Sequence, residues 1–332
     1  MRRTDLLKHV FSNYRRPFTN PCSKEYAGLV SYRAGKSQAR SQAAIILLFA
    51  HHMLDPTLEM EIHNPEMSQY MAYADDRMCP IFGGYNNMEV NLPWVLHVIN
   101  FFRSHFLLPY LGTMWATYTS LDSRQRPRGP DSDLVNGARP IGRRWNGTYS
   151  YLDRHDVLDI RSAGPDSGSL FDDRNLDKGD KSIQKLVIDF PESFATDWPE
   201  GFEQILHSLR EPSPRRTRAQ HRGGIPELET KSMREASRRF IGTGYDDEDF
   251  FSQGFLNPLP SQNGVPGFQR ITMMKYFEDG NPFEDALWAY EGVVLPGSKI
   301  IVGRWWSYQP QEPENFVRII RIAVHFTRLM LT

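Results

Sequence analysis

Trp288, Tyr290, Glu291, Arg304 and Trp305 are the residues of this chain whose types and spacing come nearest to a working site. Rigid aromatic faces with one acid and one base beside them can hold an apolar molecule and fix its polar end. Other groups carry pieces of chemistry in incomplete form. Glu59, Glu61 and His63 alternate, so a strand would place all three on one face able to ligate a divalent metal. An exposed polar edge has the same spacing, and that is the reading adopted. His51 and His52 border an apolar helix and have the type of a general base, but a histidine so placed is ordinarily a hydrogen-bonded core residue. Asp75-Asp76 begins like an acidic magnesium-holding helix, yet Met78 and Cys79 stand where a further carboxylate is needed. Asp246 to Asp249 lacks the glycine-bearing spacing of a calcium loop and reads as a solvated charge run. Arg215, Arg216, Arg218, His221 and Arg222 form a basic run without interleaved aromatics, so no nucleic-acid partner is expected. There is no phosphate-cradling glycine loop, no nucleophile elbow and no zinc-binding helix. No catalytic residue, metal ligand or cofactor is assigned.

The five leading residues need a sheet to hold them. Trp288 to Trp306 reads as two apolar, β-branched and aromatic runs joined by Leu-Pro-Gly-Ser. Pro296 presets the φ of the second position of a type II turn, and Gly297 supplies the positive φ of the third. A turn closed across Leu295 and Ser298 pairs Val294 with Lys299, Gly292 with Ile301, Tyr290 with Gly303 and Trp288 with Trp305. Each glycine then faces a bulky partner, with Glu291 diagonal to Arg304.

Around this hairpin the chain divides by composition. Residues 1–121 read as helical, most clearly Ser41–Leu54, Asn91–Leu108 and Gly112–Leu121; Asn91 serves as N-cap and Pro93 lies in the first turn. Residues 122–141, rich in Arg, Pro, Gly and Asp, read as a linker or long loop. Residues 142–310 contain short strand-like runs at Trp145–Tyr151, Lys185–Phe190 and Arg270–Phe277 before the hairpin. Helices ahead of strands give an α+β fold, and short aromatic strands favour an antiparallel barrel, calycin-like or open. Residues 311–332 read as an amphipathic C-terminal helix, because Arg318, Arg321, His325 and Arg328 recur at three- and four-residue steps. Packing on the barrel is expected of it rather than contact with a membrane surface.

At 332 residues, 40% apolar and 12% aromatic, the chain has ample material for a packed core. A net charge of -1 sets up no field to recruit a polyanion. The longest uncharged apolar run, Ala43–Ala50, is far below the ~20 residues of a membrane span. No signal-peptide pattern opens the sequence, so a soluble cytoplasmic or nuclear protein is expected. Cys22 and Cys79 are then read as two free thiols, and Asn146-Gly147-Thr148 as an unused glycosylation match.

The string ALWAYEGVVLPGSKIIVGRWW, Ala286 to Trp306, resembles the C-terminal barrel region of fungal F-box proteins. That region is similar to the cyclin-binding β-barrel of an animal F-box receptor. No F-box, the leucine- and proline-containing helical motif, is recognisable in this chain. The resemblance implies a non-catalytic recognition module, with a protein, a peptide or a small apolar ligand as partner. A reading from another class is a cofactor-free cyclase or pericyclase of fungal secondary metabolism, in which a shaped apolar cavity and a donor such as Arg304 or Tyr290 suffice.

Overall fold

A computed structural model describes residues 37–58, 64–74, 79–84, 87–131, 133–137, 139, 141–164, 173, 175–192, 237–277, 287–307 and 320–327. The helical region supplies α1 (Ser37–Leu48), α2 (Ala50–Met53), α3 (Pro65–Ala72), α4 (Leu92–Leu107) and α5 (Met114–Ser120), with a small ribbon β1 (Phe82–Gly83) and β2 (Glu89–Val90) between α3 and α4. Helix α4 is the hub. Asn91 caps it by accepting from Trp94 N at 3.3 Å, and Pro93 occupies the first turn as expected. All but its last residue are buried, on every face, so it is a core helix rather than an amphipathic one. Among the described residues, no helix is long and apolar enough to cross a membrane.

Eight antiparallel strands follow: β3 (Arg144–Tyr151), β4 (Gln184–Asp189), β5 (Arg238–Asp246), β6 (Glu248–Pro258), β7 (Gln269–Tyr276), β8 (Trp288–Val294), β9 (Ile300–Ser307) and β10 (Ile320–Thr327). Each pairs with its successor, and β10 also pairs with β3, so the sheet closes. An eight-stranded barrel is just wide enough to be filled by side chains or to hold one small ligand. A further helix, α6 (Arg154–Ala163), was not legible in the sequence; Asp153 caps it by accepting from Asp156 N at 3.0 Å.

Alternation along the strands divides the apolar residues between two clusters. Outward residues of β6–β9, among them Met274, Val293, Val302 and Trp306, join the helices in one core. Inward residues from β3 around to β9 form a second core inside the barrel. Glycines admit the large rings there. The Phe240 ring crosses Gly254, where a Cβ would lie 2.6 Å from its Cζ, and the Tyr290 hydroxyl lies over both Gly292 and Gly303.

Several expectations need correction. Ile320–Thr327 is a strand, not part of a helix over residues 311–332. The arginine spacing that suggested a helix coexists with a period of two, Ile320, Ile322, Val324 and Phe326, and two open strand edges decide between them. Those four residues pair with Trp306, Arg304, Val302 and Ile300. The hairpin register is also displaced by two residues. The Pro296-Gly297 turn forms, with Ser298 N donating to Leu295 O at 3.0 Å, but Ser298 itself takes a left-handed φ of 56°. The loop therefore extends to Lys299, and Gly292 faces Gly303 rather than a bulky partner. Cys79 is disulfide-bonded, not a free thiol; Cys22 lies outside the described residues. Asn146 and Thr148 are buried in β3, which leaves a glycan no room.

A polar knot ties the two layers together. Tyr73, just after α3, has its hydroxyl 2.6 Å from Ser150 Oγ of β3, and that serine donates to the Asp173 carboxylate. Asp173 also accepts from the backbone N–H groups of Tyr151, Asn175 and Leu176. Burial raises its pKa to about 6, against the lowering effect of these hydrogen bonds. The folded state therefore holds this proton more tightly than the unfolded chain, whose carboxyl titrates near ~4. The contribution is fully present below about pH 4 and is lost as pH rises through about 6. Urea midpoints measured between those limits should fall with rising pH by more in the wild type than in Asp173→Asn. Identical pH profiles would contradict this assignment.

Candidate functional site

Strand alternation splits the five residues singled out in the sequence. Trp288, Tyr290 and Trp305 point into the barrel, while Glu291 and Arg304 point out into the seam with the helices. The Arg304 guanidinium donates to Cys79 O at 3.1 Å, Ala72 O at 3.3 Å and Ala74 O at 3.4 Å, and lies 4.4 Å from the Trp94 ring centre. Glu291 is 3.0 Å from Arg270, whose guanidinium stacks 3.9 Å over Phe82. Burial lowers the Arg270 pKa, and the carboxylate of Glu291 opposes that shift. Arg304 therefore covers Trp94 of the helical layer.

The inward set has partners that the sequence reading passed over. Ile271, Met273 and Lys275 alternate on β7, which carries the lysine to the same inner face. Its ammonium pairs with Asp246 at the end of β5, and Gln184 Nε2 of β4 donates to the same carboxylate oxygen at 2.5 Å. Aromatic rings surround the ammonium, with Phe250 at 4.3 Å, Phe277 at 4.8 Å and Trp305 at 5.7 Å. Tyr290 packs on Trp305 with ring centres 4.6 Å apart, and burial raises its pKa above the usual phenol range.

These groups gather at one end of the barrel, called here the upper end. Trp288, which pairs with Lys275, lies at its rim with Tyr151 and Phe277, all three only half-buried. Burying an ion pair costs several kcal/mol per ion in desolvation, and a barrel this size could be filled more stably by apolar side chains. Two further inward polar groups, Trp305 Nε1 and Ser252 Oγ, make no hydrogen bond among the described residues. Each leaves about 1–3 kcal/mol of hydrogen-bonding capacity unused. The upper end thus combines an oriented ammonium, a carboxylate, two unused polar groups and aromatic walls.

The remaining sequence candidates do not join this site. His51 and His52 belong to the helical layer, their ring centres 4.0 Å apart and their planes tilted by 41°. Asp246 to Asp249 is divided by the β5–β6 turn: Asp246 turns inward, whereas Asp247 reaches Lys178 at 3.0 Å. Glu59, Glu61, His63, Asp75, Asp76 and the basic run from Arg215 to Arg222 lie outside the described residues. Among the described residues, no group of three side chains could hold a metal ion. The helical layer contains a buried Ser68, His97 and Asn100 set, with Ser68 Oγ 3.4 Å from His97 Nδ1 and 2.9 Å from Asn100 Nδ2. Burial lowers the His97 pKa to about 3, so the imidazole is neutral, and the set is enclosed by core rather than open to a substrate. No protein-family model, curated protein or solved structure matches this chain.

Proposed function

We propose that this protein is a recognition module whose barrel takes a small ligand at its upper end. The observation that carries the reading is the Lys275–Asp246 pair, buried inside a ring of aromatic side chains beneath a half-exposed tryptophan. Opposite charges already paired favour a neutral ligand over an ion. Trp305 Nε1 and Ser252 Oγ, which make no hydrogen bond among the described residues, are both donors beside the pair, so the ligand should present an acceptor such as a carbonyl. Its apolar body would lie on Trp288, Tyr151 and Phe277, with Trp288 turning aside to admit it. The resemblance of Ala286–Trp306 to F-box barrel regions supports recognition as the role. A peptide end is a second occupant of the same chemistry. The disulfide at Cys79 runs against the free thiols expected of a cytoplasmic or nuclear protein, so a location in an oxidising compartment fits that residue better.

Native mass spectrometry with 2-undecanone tests the reading. One adduct per chain is expected, and none with undecane, which lacks the acceptor. No adduct from either compound, or equal adducts from both, would overturn it. A specific observation also favours cyclase chemistry at the same place: an ammonium held among aromatic walls can polarise a bound carbonyl. Lys275, not Arg304, would be that donor, and turnover of the bound compound separates catalysis from binding.

A further inference from the structure

The lower end of the barrel is built differently. Pro130, Asp131, Asn136, Arg139 and Ile141, from the span expected as a linker or long loop, lie against this end and form a strap. Pro130 packs so close to Gly297 that a Cβ there would lie 2.8 Å from its Cγ. Asp131 pairs with Lys299 at 2.6 Å, Ser261 Oγ donates to Asn136 at 3.1 Å, and Ile141 enters the inner core. Between this strap and the turns at 267–269 and 297–299 lies a cavity of about 170 Å³. One water needs only ~10–15 Å³ on such a measure, so the space is that of a small molecule.

Its lining decides what kind of molecule. The buried Gln269 side chain is fixed, accepting from Arg139 N at 2.9 Å and donating to Ser298 Oγ at 3.1 Å. Four glycines, Gly137, Gly142, Gly267 and Gly297, present bare backbone to the space. The charged lining residues are two acids, Asp131 and Asp133, and two bases, Arg139 and Lys299. A site for a simple anion or cation would carry one sign; this lining carries both. Asp131 is already committed to Lys299, whereas Asp133 makes no ion pair among the described residues.

We propose that this lower pocket binds a small zwitterion of the amino-acid or dipeptide class. Its ammonium pairs with Asp133, and its carboxylate lies on the Arg139 and Lys299 side. The site is separate from the upper one in residues and in chemistry, so either can fail without the other.

Isothermal titration of the full chain with L-alanyl-L-alanine is the test, with N-acetyl-L-alanyl-L-alanine amide as the uncharged control. Saturable one-to-one binding of the dipeptide is expected, with the control at least about tenfold weaker. Asp133→Asn should weaken the dipeptide by about tenfold at an unchanged melting temperature, since Asp133 is exposed. Backbone amide shifts should concentrate at Gly137, Gly142, Gly267 and Gly297. No saturation at millimolar dipeptide, equal binding of the blocked control, or an unaffected Asp133→Asn variant would each overturn the proposal.

Discussion

Replacing Arg304 with alanine should cost about 3 kcal/mol or more of folding stability, because it takes the donor from several buried carbonyls at once. The residue is fully buried and serves the carbonyls of Ala72, Ala74 and Cys79, which lie at and beyond the end of α3. Alanine leaves all three without this donor, at about 1–3 kcal/mol for each that stays unsatisfied. It also opens a void beside Trp94, whose face the guanidinium covers. Lysine keeps the charge but has no planar fork to reach several carbonyls, so Arg304→Lys should fall between wild type and alanine. Urea unfolding followed by near-ultraviolet circular dichroism reads the effect. An alanine variant within about 1 kcal/mol of wild type would show that Arg304 does not hold the helices to the barrel.

Truncation after residue 310 should be more damaging still. It removes β10, which pairs along seven residues of β3 and seven of β9. Two long edges then stand open, and unpaired edges of this length associate with other chains. The truncated protein should be found in the insoluble fraction, and a synthetic peptide of residues 315–332 supplied during refolding should restore soluble monomer. A terminal helix resting on the barrel would leave all pairing intact when removed. Soluble truncated monomer that retains the wild-type melting temperature would rule out β10 as the closing strand.

What could be read in the sequence was what local chemistry determines. Asn91 and Pro93 placed the start of α4, and Pro296-Gly297 placed the hairpin turn. What escaped depended on partners distant in the chain. The β5–β6 hairpin hid behind Gly242, Gly244 and Gly254, which weaken a strand signal but inside the barrel make room for Ser252, Phe250 and Phe240 respectively. Ser298 adopted a left-handed φ that nothing local demands, and this displaced the register. The aromatic half of the site was legible in Trp288, Tyr290 and Trp305. The ionic half was not, because Asp246 lay within an acidic run and Lys275 within an apolar one. Parity was the available signal: Ile271, Met273 and Lys275 share a face, whereas Tyr290 and Glu291 cannot.

The most direct test of recognition at the upper end is a tryptophan-fluorescence titration with 2-undecanone, comparing wild type with Lys275→Met. Methionine keeps the apolar stem and removes the donor, so the aromatic walls stay in place. Because Asp246 loses its ion pair in this variant, a double variant with Asp246→Asn controls for stability. Saturable quenching in the wild type, weakened about tenfold or more in both variants at comparable melting temperatures, is the expected result. Equal affinity in the wild type and in a folded double variant would contradict it, and would make the Lys275–Asp246 pair a feature of the fold alone.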